Sequence, residues 1–500
     1  NRTLDAYKEL QALVQGNPGH AAGLGRLANL LRNGDQVDEA LRAYARAVEL
    51  APEDWITRSN MAFALRDQAR LGEAITMLRE ILAGHPDAAP TRSALIFTMY
   101  LVPGISRAEI RVEQRTWNRM HADPVASQRA AHGNARDPGR RLRVGYVSSD
   151  LRWHPVGRFM LPLIRHLDRG RLEVFCYRGS RAVDEMTGRI AEAADHFTSL
   201  AHLSDDDAAR AIRADQIDIL VDLNNHTIDN RMLLFARKPA PVQISYLAFC
   251  ADTGLETMDW RLTDPLIDPA GSADEVPFEK PLRLAETYWC YAPPPQAGEV
   301  GALPALSAGR VTFGSFNYFS KCNDEVLGLW AELLRRLPGA RIMIHVPKGS
   351  RQTHVQNFFS ARGISAERVV LFGRLSEKDY FQQYSQIDIA LDTFPWAGGT
   401  TTCDALWMGV PVITLAGKAG EPLQRGGVSI LTNLGHREWI ADSPEAYMAV
   451  ARDLAGDFSA LAGIRAGLRD RMQRSVLLDA PRFARHMEEA FRHAWRAWCG

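Results

Sequence analysis

Five hundred residues exceed one ordinary domain and predict about two to four of them. Of these residues 46% are hydrophobic and 24% charged, the balance of a water-soluble globular chain. Lys+Arg and Asp+Glu are equal at 59 each, so no net field draws the chain to nucleic acid or to an anionic membrane surface, and no apolar run is long enough to span a bilayer.

The N-terminal part repeats with a step of 34 residues. Pro18, Pro52 and Pro86 follow it, as do Ala6, Ala40 and Ala74, Ala28 and Ala62, and Leu31 and Leu65. Small Ala at fixed points, with Pro closing each unit, is the pattern of the tetratricopeptide repeat. There two antiparallel helices approach closely through their alanines and Pro stops the second. Residues 21–54 and 55–88 are predicted as whole units and 1–20 as the second half of another. The chain opens with Asn1 rather than Met, so a longer array upstream and a leader segment are both compatible with it. Residues 89–140 are predicted as a helical connection that ends in a polar linker at 128–140, with Gly133, Pro138 and Gly139.

Two alternating strand–helix runs follow. Within 141–295 the strands are predicted at Arg143–Val147, Val174–Tyr177, Ile217–Leu223, Gln243–Ala248 and Trp260–Leu262, with helices such as Phe159–Leu167 and Ser204–Ala214 between them. Residues 291–309, with Pro293, Pro294 and Pro295, read as an interdomain connection. Within 296–480 the strands are Val311–Phe316, Arg341–Val346, Val369–Phe372, Ile387–Leu391 and Val412–Leu415, and the helices include Asn323–Arg336 and Thr400–Met408. An amphipathic helix, Pro481–Trp498, closes the chain within 481–500. Such alternation predicts two open parallel sheets covered by helices, a cleft between them, and ligands at the carboxyl ends of the strands. Neither GxGxxG nor GxxxxGK[ST] occurs, which removes the ordinary dinucleotide and P-loop readings.

The six cysteines, Cys176, Cys250, Cys290, Cys322, Cys403 and Cys499, form no CxxC pair and match no zinc spacing. That predicts reduced thiols, a cytoplasmic location and no cysteine zinc site.

Four stretches carry candidate chemistry. In 391–411, Gly398 and Gly399 let the backbone approach a ligand. Thr400, Thr401 and Thr402 stand where a helix begins, and its unpaired N–H groups favour phosphate. Asp404, one turn further, is placed for ribose hydroxyls. Simple helix capping would need one hydroxyl, not three with two glycines before them. After the strand Val311–Phe316 come Asn317, Tyr318 and Lys321, the last suited to a diphosphate or, more plainly, to a surface. His154 follows the first strand of the first run, a place for proton transfer, donor contact or acceptor positioning, or for a core histidine. Asn224, Asn225 and His226 follow a further strand at the same edge, and Leu247 lies at the end of another. A capped loop is the alternative for 224–226.

In this order, VGYVSSD…HP (144–155), LVDLN…T (220–227), KPAP (238–241), FGSFN…K (313–321) and LDTFPWAGGTTTCDALWMGVP (391–411) resemble the O-linked N-acetylglucosamine transferase family. The similarity is greatest to its bacterial members and the plant SPINDLY branch, and it runs over essentially the whole chain, repeats included. It implies a tetratricopeptide superhelix followed by a GT-B fold of two Rossmann-like lobes. The donor, UDP-GlcNAc, would be held mainly by the second lobe without metal or other cofactor. A protein or peptide acceptor would reach it along the repeat groove and receive the sugar on Ser or Thr. Residue by residue, the resemblance assigns Lys321 to the diphosphate, Thr400 and Thr401 to the phosphates, Asp404 to the ribose, and His154 to donor and acceptor positioning. The wider donor-binding set is Asn317, Tyr318, Gly398, Gly399, Thr402, His226 and Leu247. Tyr318 and Gly399 depart from the animal enzymes, which carry Gln and His there. Two alternatives share these motifs: GDP-fucose as donor, as in the SPINDLY branch, and a non-catalytic scaffold that keeps a nucleotide-binding lobe. If the repeats only present the acceptor, deleting residues 1–88 leaves nucleotide binding nearly intact.

Overall fold

The computed structural model describes residues 2–271 and 278–500. Asn1, which opens the first predicted half-repeat, and 272–277, within the first predicted lobe, lie outside the described residues. The helices α1 (Arg2–Gly16), α2 (Ala21–Asn33), α3 (Val37–Leu50), α4 (Trp55–Asp67), α5 (Leu71–Gly84) and α6 (Ala89–Met99) follow one another, α2–α3 and α4–α5 coinciding with the two whole repeats. Ala28, Ala40, Ala62 and Ala74 are all buried, which is why the step keeps them small. Ala28, Leu31, Val37, Ala40, Tyr44 and Ala64 form one core cluster. The period reaches single dihedrals: the turns inside the two repeats hold Asp35 and Ala69, 34 residues apart, at φ of 64° and 55°. Helix α7 (Arg107–Trp117) starts from a Ser106/Glu109 capping box.

Next come β1 (Leu142–Ser148), α8 (Pro155–His166), β2 (Leu172–Arg178), α9 (Glu185–Ala193), β3 (His196–Ser199), α10 (Asp205–Ala214), β4 (Ile219–Asp222), α11 (Met232–Ala236), β5 (Val242–Ser245), β6 (Trp260–Thr263) and β7 (Lys280–Arg283). These strands form one parallel sheet in the order β3-β2-β1-β4-β5-β6-β7. The order reverses between β1 and β4, the place where open α/β sheets bind ligands. Two strands of this sheet escaped the sequence reading, β3 and β7, one at each edge. The first is mostly exposed and polar and the second carries Pro281, so neither presents a buried apolar run.

The rest of the chain forms α12 (Pro304–Ala308), β8 (Thr312–Ser315), α13 (Asp324–Arg336), β9 (Arg341–His345), α14 (Ser350–Ser360), β10 (Val369–Phe372), α15 (Glu377–Gln383), β11 (Ile389–Leu391), α16 (Thr400–Trp407), β12 (Val412–Leu415), α17 (Gly426–Leu434), β13 (Ile440–Ala441), α18 (Pro444–Gly456), α19 (Phe458–Gln473) and α20 (Ala480–Cys499). Phe483, Met487, Phe491 and Trp495 recur every fourth residue along α20, and all four are buried. No described helix is long and apolar enough to cross a membrane.

The chain divides into two interleaved compact units. One comprises Asn1–Ile105, Gly301–Trp396 and Met448–Gly463; the other comprises Ser106–Val300, Ala397–Tyr447 and Ile464–Gly500. In the first unit the repeats share a body with the parallel run β10-β9-β8-β11, whose order reverses between β8 and β11. The second unit holds the seven-stranded sheet, α16 and the parallel pair β12–β13.

Candidate active site

In the first unit the candidate residues lie beyond the carboxyl ends of β8 and β11. Buried Asn317 brings its amide to 3.5 Å from the Ser315 hydroxyl. A short 3-10 turn, Phe319–Lys321, then carries Lys321, whose ammonium sits 5.0 Å from the centre of the Trp396 ring, a cation–π contact. The loop after β11 that holds Trp396 is fixed by its own hydrogen bonds. Thr393 Oγ1 donates to the Trp396 carbonyl (2.8 Å) and Asn323 Nδ2 to the Phe394 carbonyl (2.7 Å). The Tyr318 hydroxyl donates to Asp67 of α4.

In the second unit α16 begins at Gly399 with no side-chain cap. A Cβ on Gly399 would lie 2.5 Å from the Trp289 indole, so only glycine lets the helix start against that ring. Thr400 and Thr401 are partly exposed at this start, whereas Thr402 is packed inside. The helix start therefore presents two partly exposed threonines rather than three. The Trp289 Nε1 is buried and finds no acceptor among the described residues.

Asp404 is 1% exposed. Its Oδ1 accepts from Arg158 Nη2 (2.6 Å) and from the Tyr291 hydroxyl (2.7 Å), while Oδ2 receives Arg158 Nη1 at 3.3 Å. The sequence pattern suggests a ribose role for this carboxylate; the structure shows it already committed to a buried ion pair. Arg158 was missed by sequence reading. Its signal is its place one turn into the helix that follows His154, at the same strand end.

His154 is the N-cap of α8, and its Nδ1 accepts the Val156 N–H at 3.3 Å. Burial lowers the imidazole below its ordinary range, against the pull of Asp150, whose Oδ2 lies 3.8 Å from Nδ1. A neutral ring that accepts at Nδ1 carries its hydrogen on Nε2. In this state His154 is a hydrogen-bond donor, a geometry that serves positioning better than proton abstraction. His154→Asn keeps a capping acceptor and removes the imidazole. We expect at least about a tenfold loss of transfer, ~1.4 kcal/mol in barrier, with an unchanged melting temperature. An equal loss of stability would make the residue a cap and nothing more.

The stretch after β4 turns inward. Asn224 Oδ1 accepts the Ser149 N–H (2.8 Å) and its amide donates to Ser149 Oγ (2.9 Å) and Asp150 (3.1 Å). Asn225, at φ 49°, donates to the Ala251 carbonyl. His226 is buried beside Trp117 of α7, its Nε2 2.7 Å from the Thr253 carbonyl. These groups tie the loop after β4 to the loop after β1 and to 251–253. Leu247 is buried at φ 73°, its N–H donated to the Tyr288 hydroxyl at 2.6 Å, an unusual conformation for a leucine.

Burial pushes His226 down to about 4, whereas in an unfolded chain the ring titrates near its ordinary value of 6.5. Between the two the unfolded chain holds the extra proton. The ring's contribution to stability is therefore complete above the unfolded value and is lost as the pH falls through the folded one. Measured against His226→Gln, the wild-type advantage in unfolding free energy should shrink by about 3 kcal/mol from pH ~7 to ~4. Asp222, which burial pushes up to about 6, is present in both proteins and cancels.

A helical repeat array followed by two Rossmann-like α/β runs, with ligand-facing loops at the strand ends, is a GT-B architecture preceded by tetratricopeptide repeats. The model of glycosyl transferase family 41 matches residues 118–290 and 302–487, and the chain belongs to that family. Over 374 residues it is 37% identical to the probable UDP-N-acetylglucosamine–peptide N-acetylglucosaminyltransferase SPINDLY of Arabidopsis thaliana, covering 73% of this chain and 41% of that protein. It is 29% identical over 369 residues to the corresponding probable transferase SEC of the same plant, covering 72% and 38%. The chain thus spans about two fifths of the length of these curated relatives. A solved mutant form of the Thermobaculum terrenum O-GlcNAc transferase superposes with a TM-score of 0.93 at 33% identity, covering 99% of this chain and 95% of that one.

Proposed function

We propose that this protein is a glycosyltransferase that moves N-acetylglucosamine from UDP-GlcNAc to a Ser or Thr hydroxyl of a protein acceptor, without a metal ion. The observation that carries the reading is the uncapped start of α16 at Gly399, with Thr400 and Thr401 beside it, in a family 41 chain. In the reaction the acceptor oxygen bonds to the anomeric carbon, the bond to the diphosphate breaks, and the acceptor proton is released. The charge that develops on the diphosphate needs fixed positive groups. The N-terminus of α16 has that character in one unit and Lys321 in the other. Among the described residues no group of three or more His, Cys, Asp or Glu is arranged to hold a metal ion. We assign the repeat groove to the acceptor. All six cysteines are free thiols, which suits the cytoplasm.

The test is calorimetric titration with UDP and with GDP, each with and without excess EDTA. UDP should bind and keep its affinity under chelation. Loss of binding with EDTA removes the metal-free reading, and binding of GDP alone assigns the donor to the fucose alternative. Lys321→Ala should weaken UDP by about 1.5–3 kcal/mol, the worth of a charge-assisted contact. An unchanged affinity would leave Lys321 a surface residue.

A further inference from the structure

The loop that carries Lys321 is held from the repeats. The Tyr318 hydroxyl donates to Asp67 at the end of α4, and Asp67 in turn accepts from Arg32 of α2, Nε to Oδ2 at 2.7 Å. A second route runs beside the first. The Arg66 guanidinium, on a side chain 7% exposed, lies 5.2 Å from the Phe63 ring and 4.9 Å from the Phe97 ring. Phe97 of α6 lies 5.2 Å from Trp396, over which Lys321 rests. One route ends at Tyr318, three residues before the lysine, and the other at the ring beneath its ammonium. Both lie wholly within one compact unit.

We propose that the Arg32–Asp67–Tyr318 clasp and the Phe63–Arg66–Phe97–Trp396 stack position Lys321 for the donor diphosphate, which makes the first whole repeats part of the donor site. The inference rests on the proposed role of Lys321. A lysine has a flexible four-carbon stem, and its charge aids a developing anion only where it is held in advance. Between β8 and α13 the sole regular structure is one 3-10 turn, so order in this loop comes from side-chain contacts. The clasp is separable from the attachment of the repeats. Asp38 accepts the Ser350 N–H (2.5 Å) and hydroxyl (2.7 Å), and Asp35 accepts the Arg374 N–H (2.8 Å), both away from the lysine loop. Breaking the clasp should leave the repeats docked.

The test measures UDP affinity and melting temperature for Tyr318→Phe and Asp67→Asn, alone and combined with Lys321→Ala, with Asp38→Ala as comparator. In the wild-type background we expect each clasp variant to raise the dissociation constant by about fivefold with little change in melting temperature. In the Lys321→Ala background the same substitutions should change nothing further, since there is no ammonium left to place. Asp38→Ala should lower the melting temperature and spare the affinity. Wild-type affinity in Tyr318→Phe overturns the proposal. So does an equal loss in both backgrounds, because Tyr318 would then act on the ligand directly. If Lys321→Ala itself leaves UDP binding unchanged, the parent reading fails, and that result is distinguishable because it needs no clasp variant.

Discussion

Arg158→Ala should cost about 3–5 kcal/mol of folding stability, the penalty for stranding one partner of a buried ion pair. Asp404 has almost no contact with solvent, and Arg158 reaches both its oxygens. With the guanidinium gone, the Tyr291 hydroxyl still donates to Asp404, but the buried charge has lost this counter-ion. That hydroxyl cannot neutralise it, because burial, reinforced by Asp404, pushes the phenol well above its ordinary range and keeps its proton in place. Replacing both partners by apolar residues of similar size, Arg158→Met with Asp404→Leu, should recover most of the loss, since such swaps are often neutral. The recovered protein should still be a poor enzyme. Arg158 links α8, which begins at His154, to α16, which begins at the candidate phosphate site, so the ion pair sets two functional helix ends against each other. Denaturant unfolding of the single and double variants, with transfer rates on the folded ones, reads both parts. If Arg158→Ala unfolds at the wild-type midpoint, water reaches Asp404 and the pair is no keystone. A ribose contact at Asp404 would then be easier to accept. In the structure as it stands, such a contact would fall on Oδ2, where the arginine is the more distant at 3.3 Å.

What could be read from sequence was what repeats locally. The 34-residue step specified α2–α5, because the same buried alanines and the same turns recur in each unit. The buried strands β1, β4, β8 and β11 showed themselves as apolar runs that end in polar residues, and the candidate residues Asn317, Lys321, His154 and Thr400 all lie directly beyond such ends or at the helix starts that follow. Pairings between distant segments left no such trace. Arg158 and Asp404 are separated by 246 residues, and Tyr318 and Asp67 by 251; neither pair has a periodicity that announces it. Asp35, Asp38 and Asp67 are not among the residues that the 34-residue step marks; their partners Arg374, Ser350 and Tyr318 lie more than 240 residues away. The surroundings of His226 are of the same distant kind. A histidine after a strand end suggests a ligand, but Thr253 and Trp117, which bury it, arrive from elsewhere in the chain.

Deleting residues 1–88 should therefore do more than remove a docking surface for acceptors. A repeat array that merely presents the acceptor would leave nucleotide binding intact when removed. In the structure the repeats share one compact unit with β8–β11 and their loops, and the deleted segment supplies partners that the rest of that unit needs. The Ser350 N–H and hydroxyl lose Asp38, the Arg374 N–H loses Asp35, and Tyr318 loses Asp67. Gly349, at φ 100°, lies so close to the Asp38 carboxylate that a Cβ there would be 2.3 Å away, a surface shaped around the repeat. Helix α6, which would remain, loses Leu78, Ile81 and Leu82 of α5, all buried at present, and exposes apolar residues of its own. We expect the truncated chain to melt about 10 °C lower or more, or to aggregate. Where it folds, UDP affinity should fall with it, because the lysine loop has lost its clasp and part of its stack. Removing only residues 1–20 takes away α1 and the turn that follows it, touches none of these partners, and should leave UDP affinity at the wild-type value. Full UDP affinity and an unchanged melting temperature in the protein lacking 1–88, with loss of protein glycosylation alone, would return the repeats to the role of a platform. Equal loss from both truncations would mean that the array acts as one block rather than through Asp35, Asp38 and Asp67.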